Sequence, residues 1–184
     1  MRRRTLLRTS LSAPLAAPAL AQPSKTDTLR FIPQANLTSL DPIWTTATVT
    51  NNHGYYVYDT LYSAGPDMRP RPQMAAGHEV SADGRTWRIR LRDGLVFHDG
   101  TKVRAADCNA SIQRWAKRDA LGQIMDAGVD KWAAPDDRTI VLTLSRPFPM
   151  LLDALAKPDS PVPFLMPDRI ATTPPMTALT DVTA

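Results

Sequence analysis

The stretch LRDGLVFHDGTKVRAADC, from Leu91 to Cys108, gathers the residue types that do chemistry: His98 beside Asp99, the single cysteine of the chain, and two glycines alongside them. A Cys–His or Ser–His pair would be a nucleophile with its base, and clustered histidines would be a zinc site. Both need side chains that converge, whereas adjacent residues in an extended segment point to opposite sides. His53, His78 and His98 stand far apart in sequence, and no H-E-x-x-H, G-x-S-x-G, G-x-G-x-x-G or G-x-x-x-x-G-K-[ST] pattern occurs. FHDGT reads instead as a turn, with Asp99 accepting backbone N–H bonds and Gly100 supplying the left-handed position. The expectation is no catalytic residue, no metal and no cofactor. A hydrolase or metal enzyme using the scattered histidines is the alternative.

Cys108 has no partner for an internal disulfide, so it is either a buried small hydrophobe or a free thiol, and its helical phase favours burial. The 184-residue chain is 43% hydrophobic and 22% charged, which is ordinary for a globular protein. Seventeen prolines against eight glycines suggest fixed bends and extended connections. Residues 1–21 read as an export signal: Arg2, Arg3, Arg4 and Arg8, then the apolar run LSAPLAAPALA, then the small-x-small site Ala19-Leu20-Ala21. The apolar run is too short for a spanning helix, so no stable membrane span is expected in the mature chain. The arginines also resemble a twin-arginine export motif, and an ordinary secretory signal is equally compatible. The formal charge of +4 comes from 22 basic and 18 acidic residues, and the signal alone holds four arginines and no acid. The mature chain is therefore near neutral, which argues against nucleic acid as a partner.

The elements that would position any site follow from periodicity. TLRFI, Thr28 to Ile32, reads as a short strand, and PQANLTSLDPIWTT as an extended loop. Thr48 to Leu61 is helical in pattern, with Val49, Asn52 and Tyr56 on one face. Tyr55, Tyr58 and Tyr62 lie on a neighbouring one, as a ligand shelf or as plain packing. In HEVSADGRTWRIRLRDG, Trp87, Ile89 and Leu91 alternate with Arg88, Arg90 and Arg92, and Asp83-Gly84 marks a hairpin turn. Lys102 to Lys117 is the best helix, with Cys108, Ser111, Ile112 and Trp115 on one stripe. A short helix near Leu121 to Met125, a strand carrying Ile140, Leu142 and Leu144, and a helical turn in FPMLLDAL complete an α+β organisation. Beyond Pro158 the chain reads as a loose tail.

HEVSADGRTWRIRLRDGLVFHDGTKVRAADCNASIQRW resembles the signature segment of the extracytoplasmic solute-binding proteins of the peptide/nickel class, the binding components of ABC importers. LDP at Leu40 to Pro42, VYDTLY at Val57 to Tyr62, and APDDRTIVLTLSRPFPMLLDAL at Ala134 to Leu155 match in family order. The departures are slight: Cys108 and Asn109 stand where the family has apolar residues, and Val103-Arg104 where a Ser or Thr cap often begins the helix. The resemblance implies the partial first lobe of a two-lobed periplasmic-binding-protein fold of the class with an extra domain, with the second lobe missing. It places a first-lobe strand and loop at about 28–47, the extra domain at about 48–157, and the tail at about 158–184. It implies a periplasmic binder of oligopeptides or related small solutes that works with importer permease subunits, here as a truncated, non-autonomous form. An exported interaction module is the rival reading. Ligand-facing residues are expected at Asn36, Leu37, Thr38, Ser39, Trp44 and Thr45. Trp44 would stack on the solute or pack in the core, and Asn36 would pair with an amide.

Overall fold

The computed structural model describes residues 30–180, so the export signal expected at 1–21 lies outside the described residues. The chain divides after Ile32. Arg30, Phe31 and Ile32, the described end of the first unit, are exposed and carry no strand, against the strand expected at Thr28 to Ile32. Thr28 and Leu29 are not among the described residues. Among those that are, no helix is long and apolar enough to cross a membrane.

The second unit begins with the expected loop, which leads into helix α1 (Thr48–Val57). A two-stranded antiparallel ribbon follows, β1 (Tyr62–Ala64) with β2 (Pro70–Pro72). The main sheet comprises β3 (Ala75–Val80), β4 (Thr86–Leu91), β5 (Val129–Asp136) and β6 (Thr139–Leu144), all antiparallel in the order β3-β4-β6-β5. Between β4 and β5 run α2 (Ala105–Ala116) and α3 (Ala120–Asp126), and after β6 come α4 (Leu151–Leu155) and α5 (Asp168–Ala171).

The period-two readings hold residue by residue. Trp87, Ile89 and Leu91 of β4 and Ile140, Leu142 and Leu144 of β6 are buried, and Trp87 faces Leu142 while Ile89 faces Ile140 across the ladder. Arg88 and Arg90 point to solvent, as one face of a half-covered antiparallel sheet should. Cys108, Ser111, Ile112 and Trp115 of α2 pack on the inner face, all at 3% exposure or less. Burial pushes the Cys108 thiol well above the ordinary thiol range, so it behaves as a small apolar group. The helix starts at Ala105, three residues later than Lys102. Asp107 there accepts the backbone N–H of Arg104 at 2.7 Å, in place of a Ser or Thr cap.

The structure adds to or departs from the sequence reading in three further places. Strand β5 was not foreseen, because its register shifts between Val129 and Lys131 and again between Ala133 and Asp136, which erases the alternation. The stretch beyond Pro158 is not uniformly loose: Val162, Phe164, Leu165 and Met166 are at most 4% exposed, and α5 follows. The three tyrosines do not form one shelf. Tyr55 and Tyr58 flank Phe164, with ring centroids at 5.0 and 5.8 Å, while Tyr62 hydrogen-bonds His78 Nδ1 at 3.0 Å. Gly54 makes the Phe164 contact feasible, since a Cβ there would stand 2.5 Å from the buried ring's Cε2.

One buried ion pair joins the loop, α2 and the last described residues. Asp41 is fully buried and Arg114 is 4% exposed, and they meet through two hydrogen bonds of 3.1 and 2.8 Å. Arg114 also donates to the carbonyls of Thr173 and Thr177, and Asp41 accepts the N–H groups of Ile43 and Leu179. Nearly every donor and acceptor is thereby occupied, which is the condition for a buried pair to be tolerated.

Arg114→Met should cost about 3–5 kcal/mol, because it leaves a buried carboxylate without its cation. The loss would appear as a lower urea midpoint, and adding Asp41→Asn should cost less than the sum of the two single changes. Gly54→Ala should destabilise by roughly 1–3 kcal/mol through overpacking against Phe164, although alanine is ordinarily the better helix former. A variant at least as stable as the parent in the same titration would show that the ring yields.

Candidate functional site

The six residues expected to face a ligand fall into two groups. Asn36, Leu37 and Thr38 are exposed along the loop, and Ser39 is half-buried. Ser39 shapes the backbone: its Oγ accepts from the N–H of Asp41 at 3.3 Å, and its carbonyl accepts from Thr50 Oγ1 at 3.1 Å. Trp44 and Thr45 sit beyond the buried Asp41-Pro42-Ile43 turn. No hydrogen bond or ring contact links them to the Asn36–Thr38 stretch.

Trp44 is neither in the core nor unattended. It is 36% exposed, and the guanidinium carbon of Arg118 lies 4.8 Å from its ring centroid. Arg118 Nη2 also donates to the Trp44 carbonyl at 3.0 Å, and its Nη1 reaches the sulfur of Met176 at 3.4 Å. Thr45 Oγ1 accepts from the N–H of Ala47 at 3.2 Å, and its carbonyl accepts from Ser160 Oγ at 3.5 Å. Trp44, Thr45, Arg118 and Ser160 therefore form one polar and aromatic cluster. Arg118 and Ser160 were not foreseen. An arginine just past a helix C-terminus reads as a partner of the helix dipole, and nothing in sequence ties position 118 to position 44.

On another side, α1, the Leu95–Phe97 segment and the Leu165–Ile170 segment enclose a mostly apolar cavity of about 630 Å³. His53 and His98 both line it. His98 Nε2 lies 3.0 Å from the Val57 carbonyl, to which it donates, and the buried Nδ1 of His53 has no hydrogen-bond partner. Tyr58 borders the same space and gives its hydroxyl to the Leu40 carbonyl at 3.5 Å. The turn after His98 is built as expected, with Asp99 Oδ1 accepting from Thr101 N–H and Oγ1 and Gly100 at φ 82°. None of the six expected ligand-facing residues lines this cavity. His78 lies elsewhere, against Tyr62 and Trp87. Among the described residues no three His, Cys, Asp or Glu side chains converge as a metal site would require.

Burial of the phenols has a measurable effect. Tyr62 is pushed up to about 12 by desolvation alone, and Tyr58 to about 12 by desolvation with help from the Asp41 charge. An unfolded tyrosine ionises near pH 10. Folded values above the unfolded one mean that the native state holds these protons longer, so the stability they contribute is complete below about pH 10. It is lost as the pH rises towards 12. The thermal midpoint should decline across that window, and Tyr58→Phe should make the decline shallower. An unchanged slope in that variant would refute the assignment.

Comparison with known proteins gives the site a context. The family model described as bacterial extracellular solute-binding proteins, family 5 Middle, matches residues 69–179. A probable peptide ABC transporter periplasmic-binding protein of Sinorhizobium fredii is 43% identical over 145 residues, 79% of this chain and 27% of that protein. The glutathione-binding protein of Escherichia coli K12 is 30% identical over 128 residues, 67% of this chain and 25% of that protein. The A. tumefaciens R10 protein AgaA, solved with agropinic acid, superposes with a TM-score of 0.61 at 31% identity, covering 72% of this chain and 26% of that one. The chain thus spans about a quarter of the length of the curated relatives it matches.

Proposed function

The chain belongs to the bacterial extracellular solute-binding proteins of family 5, and we propose that it contributes to solute capture in the periplasm for an ABC importer. The relatives are binding proteins, not enzymes, so the histidines are read as structural. The solute class is oligopeptides or closely related small solutes. The 43% identity to a probable peptide transporter's binding protein carries that reading. Export rests on residues 1–21, by a secretory or a twin-arginine route, and the partners are the permease subunits of the importer. The ligand-facing wall consists of the loop residues Asn36, Leu37, Thr38 and Ser39 together with Trp44 and Thr45. Trp44 offers a flat apolar face with fixed polar groups at its edge, the combination that binds a peptide-like solute with a defined orientation. The wall is open to solvent, and without water exclusion the affinity is modest.

The test is a two-dimensional ¹⁵N–¹H spectrum of the full chain titrated with a tripeptide mixture. Shifts should concentrate at Asn36 to Ser39 and at Trp44 and Thr45, and Trp44→Ala should weaken binding roughly three- to tenfold. Shifts confined to the α1 cavity, or none at all, would remove the site assignment.

A further inference from the structure

Among the described residues, Arg118 is a cation held in place without an ion-pair partner. Its partners among the described residues are the face of Trp44, the Trp44 carbonyl and the sulfur of Met176, and none of them carries a negative charge. The nearest acid in sequence, Asp119, is otherwise engaged: it is 3% exposed, accepts from the N–H of Gly122 and pairs with Lys157. The other arginine on the same side of α2, Arg114, is taken by Asp41. The acid next to Ser160 in sequence is Asp159. It is exposed, accepts from the N–H of Ser160, and forms no ion pair with Arg118.

A guanidinium has five N–H donors in a rigid fork, and here one goes to a carbonyl and one to a thioether. Stacking on Trp44 fixes the plane of the fork before any ligand arrives, so little side-chain entropy remains to be lost on binding. We propose that Arg118 is the specificity-determining residue of the Trp44–Thr45 site and that it selects solutes carrying a carboxylate, which its fork takes while the adjoining part of the solute lies on Trp44. The inference rests on the solute-binding reading above and narrows it. A single fork matches a planar monoanion in bidentate fashion. A phosphate dianion would meet a single positive charge there, and is the poorer match.

The experiment uses the full chain and two probes that differ only in charge, trialanine and trialanine carboxamide. The signals followed are the Arg118 Nε–H and the Trp44 indole N–H. Trialanine should shift both, at about one-tenth of the concentration the carboxamide needs, given the strength of charge-assisted hydrogen bonds. Arg118→Met should erase the difference between the probes while the carboxamide still moves Trp44. Arg118→Lys should retain part of the preference, since it keeps the charge and loses the fork. If both probes shift Trp44 and Thr45 at equal concentrations in the parent, the site stands and the carboxylate anchor falls. If neither probe moves Trp44 or Thr45, both the site and the anchor fall.

Discussion

Two opposite charges removed from water, Asp41 and Arg114, hold the rest of the second unit in register. Desolvating each ion costs several kcal/mol, and the arrangement survives because nearly all of the spare lone pairs and protons meet backbone groups. Those backbone groups come from the turn at Ile43 and from Thr173, Thr177 and Leu179. The pair therefore decides where three chain segments lie at once. It also sets up the candidate site. Trp44 stands three residues after Asp41, and Arg118 stands one helical turn after Arg114. When the first two lock, the ring and the second guanidinium are carried into contact.

The apolar core does the complementary work. The inner faces of β4 and β6 present Trp87, Ile89, Leu91, Ile140, Leu142 and Leu144 to the stripe of α2. This packing fixes the axis of α2, and so the position of both arginines, to within what a close-packed interior permits. Trp115 adds a polar constraint, its indole N–H donating to the Pro161 carbonyl at 2.8 Å. That bond draws the segment around Ser160 towards the helix, and Ser160 is the residue that reaches Thr45. The wall of the site is thus an outcome of core packing more than of the loop that carries it.

Sequence reading succeeded where one local period decides the structure. The β4 and β6 strands and the α2 stripe were legible because burial repeats every two residues or every three to four. The turn at Asp99-Gly100 was legible because its chemistry is confined to adjacent residues. Strand β5 was hidden by its two register shifts, and the buried segment from Val162 to Met166 by prolines that read as loop. At the site, Trp44 and Thr45 were named for their types, but Arg118 and Ser160 were not. They reach the same spot through contacts 74 and 115 residues apart, a separation that no local pattern encodes. Asp41 with Arg114 is the same case at 73 residues.

The Leu179 amide that closes on Asp41 comes 138 residues later in the chain. Such a closure is entropically slow and depends on the late segment being available. Ile43 and Arg114 reach the same carboxylate from 2 and 73 residues away, so the Leu179 amide is the most distant in sequence of the groups that satisfy it. The hydrogen-bond shell of Asp41 is therefore complete only when the segment carrying Leu179 is in place, so loosening of that late segment would be felt at a carboxylate far from it in sequence.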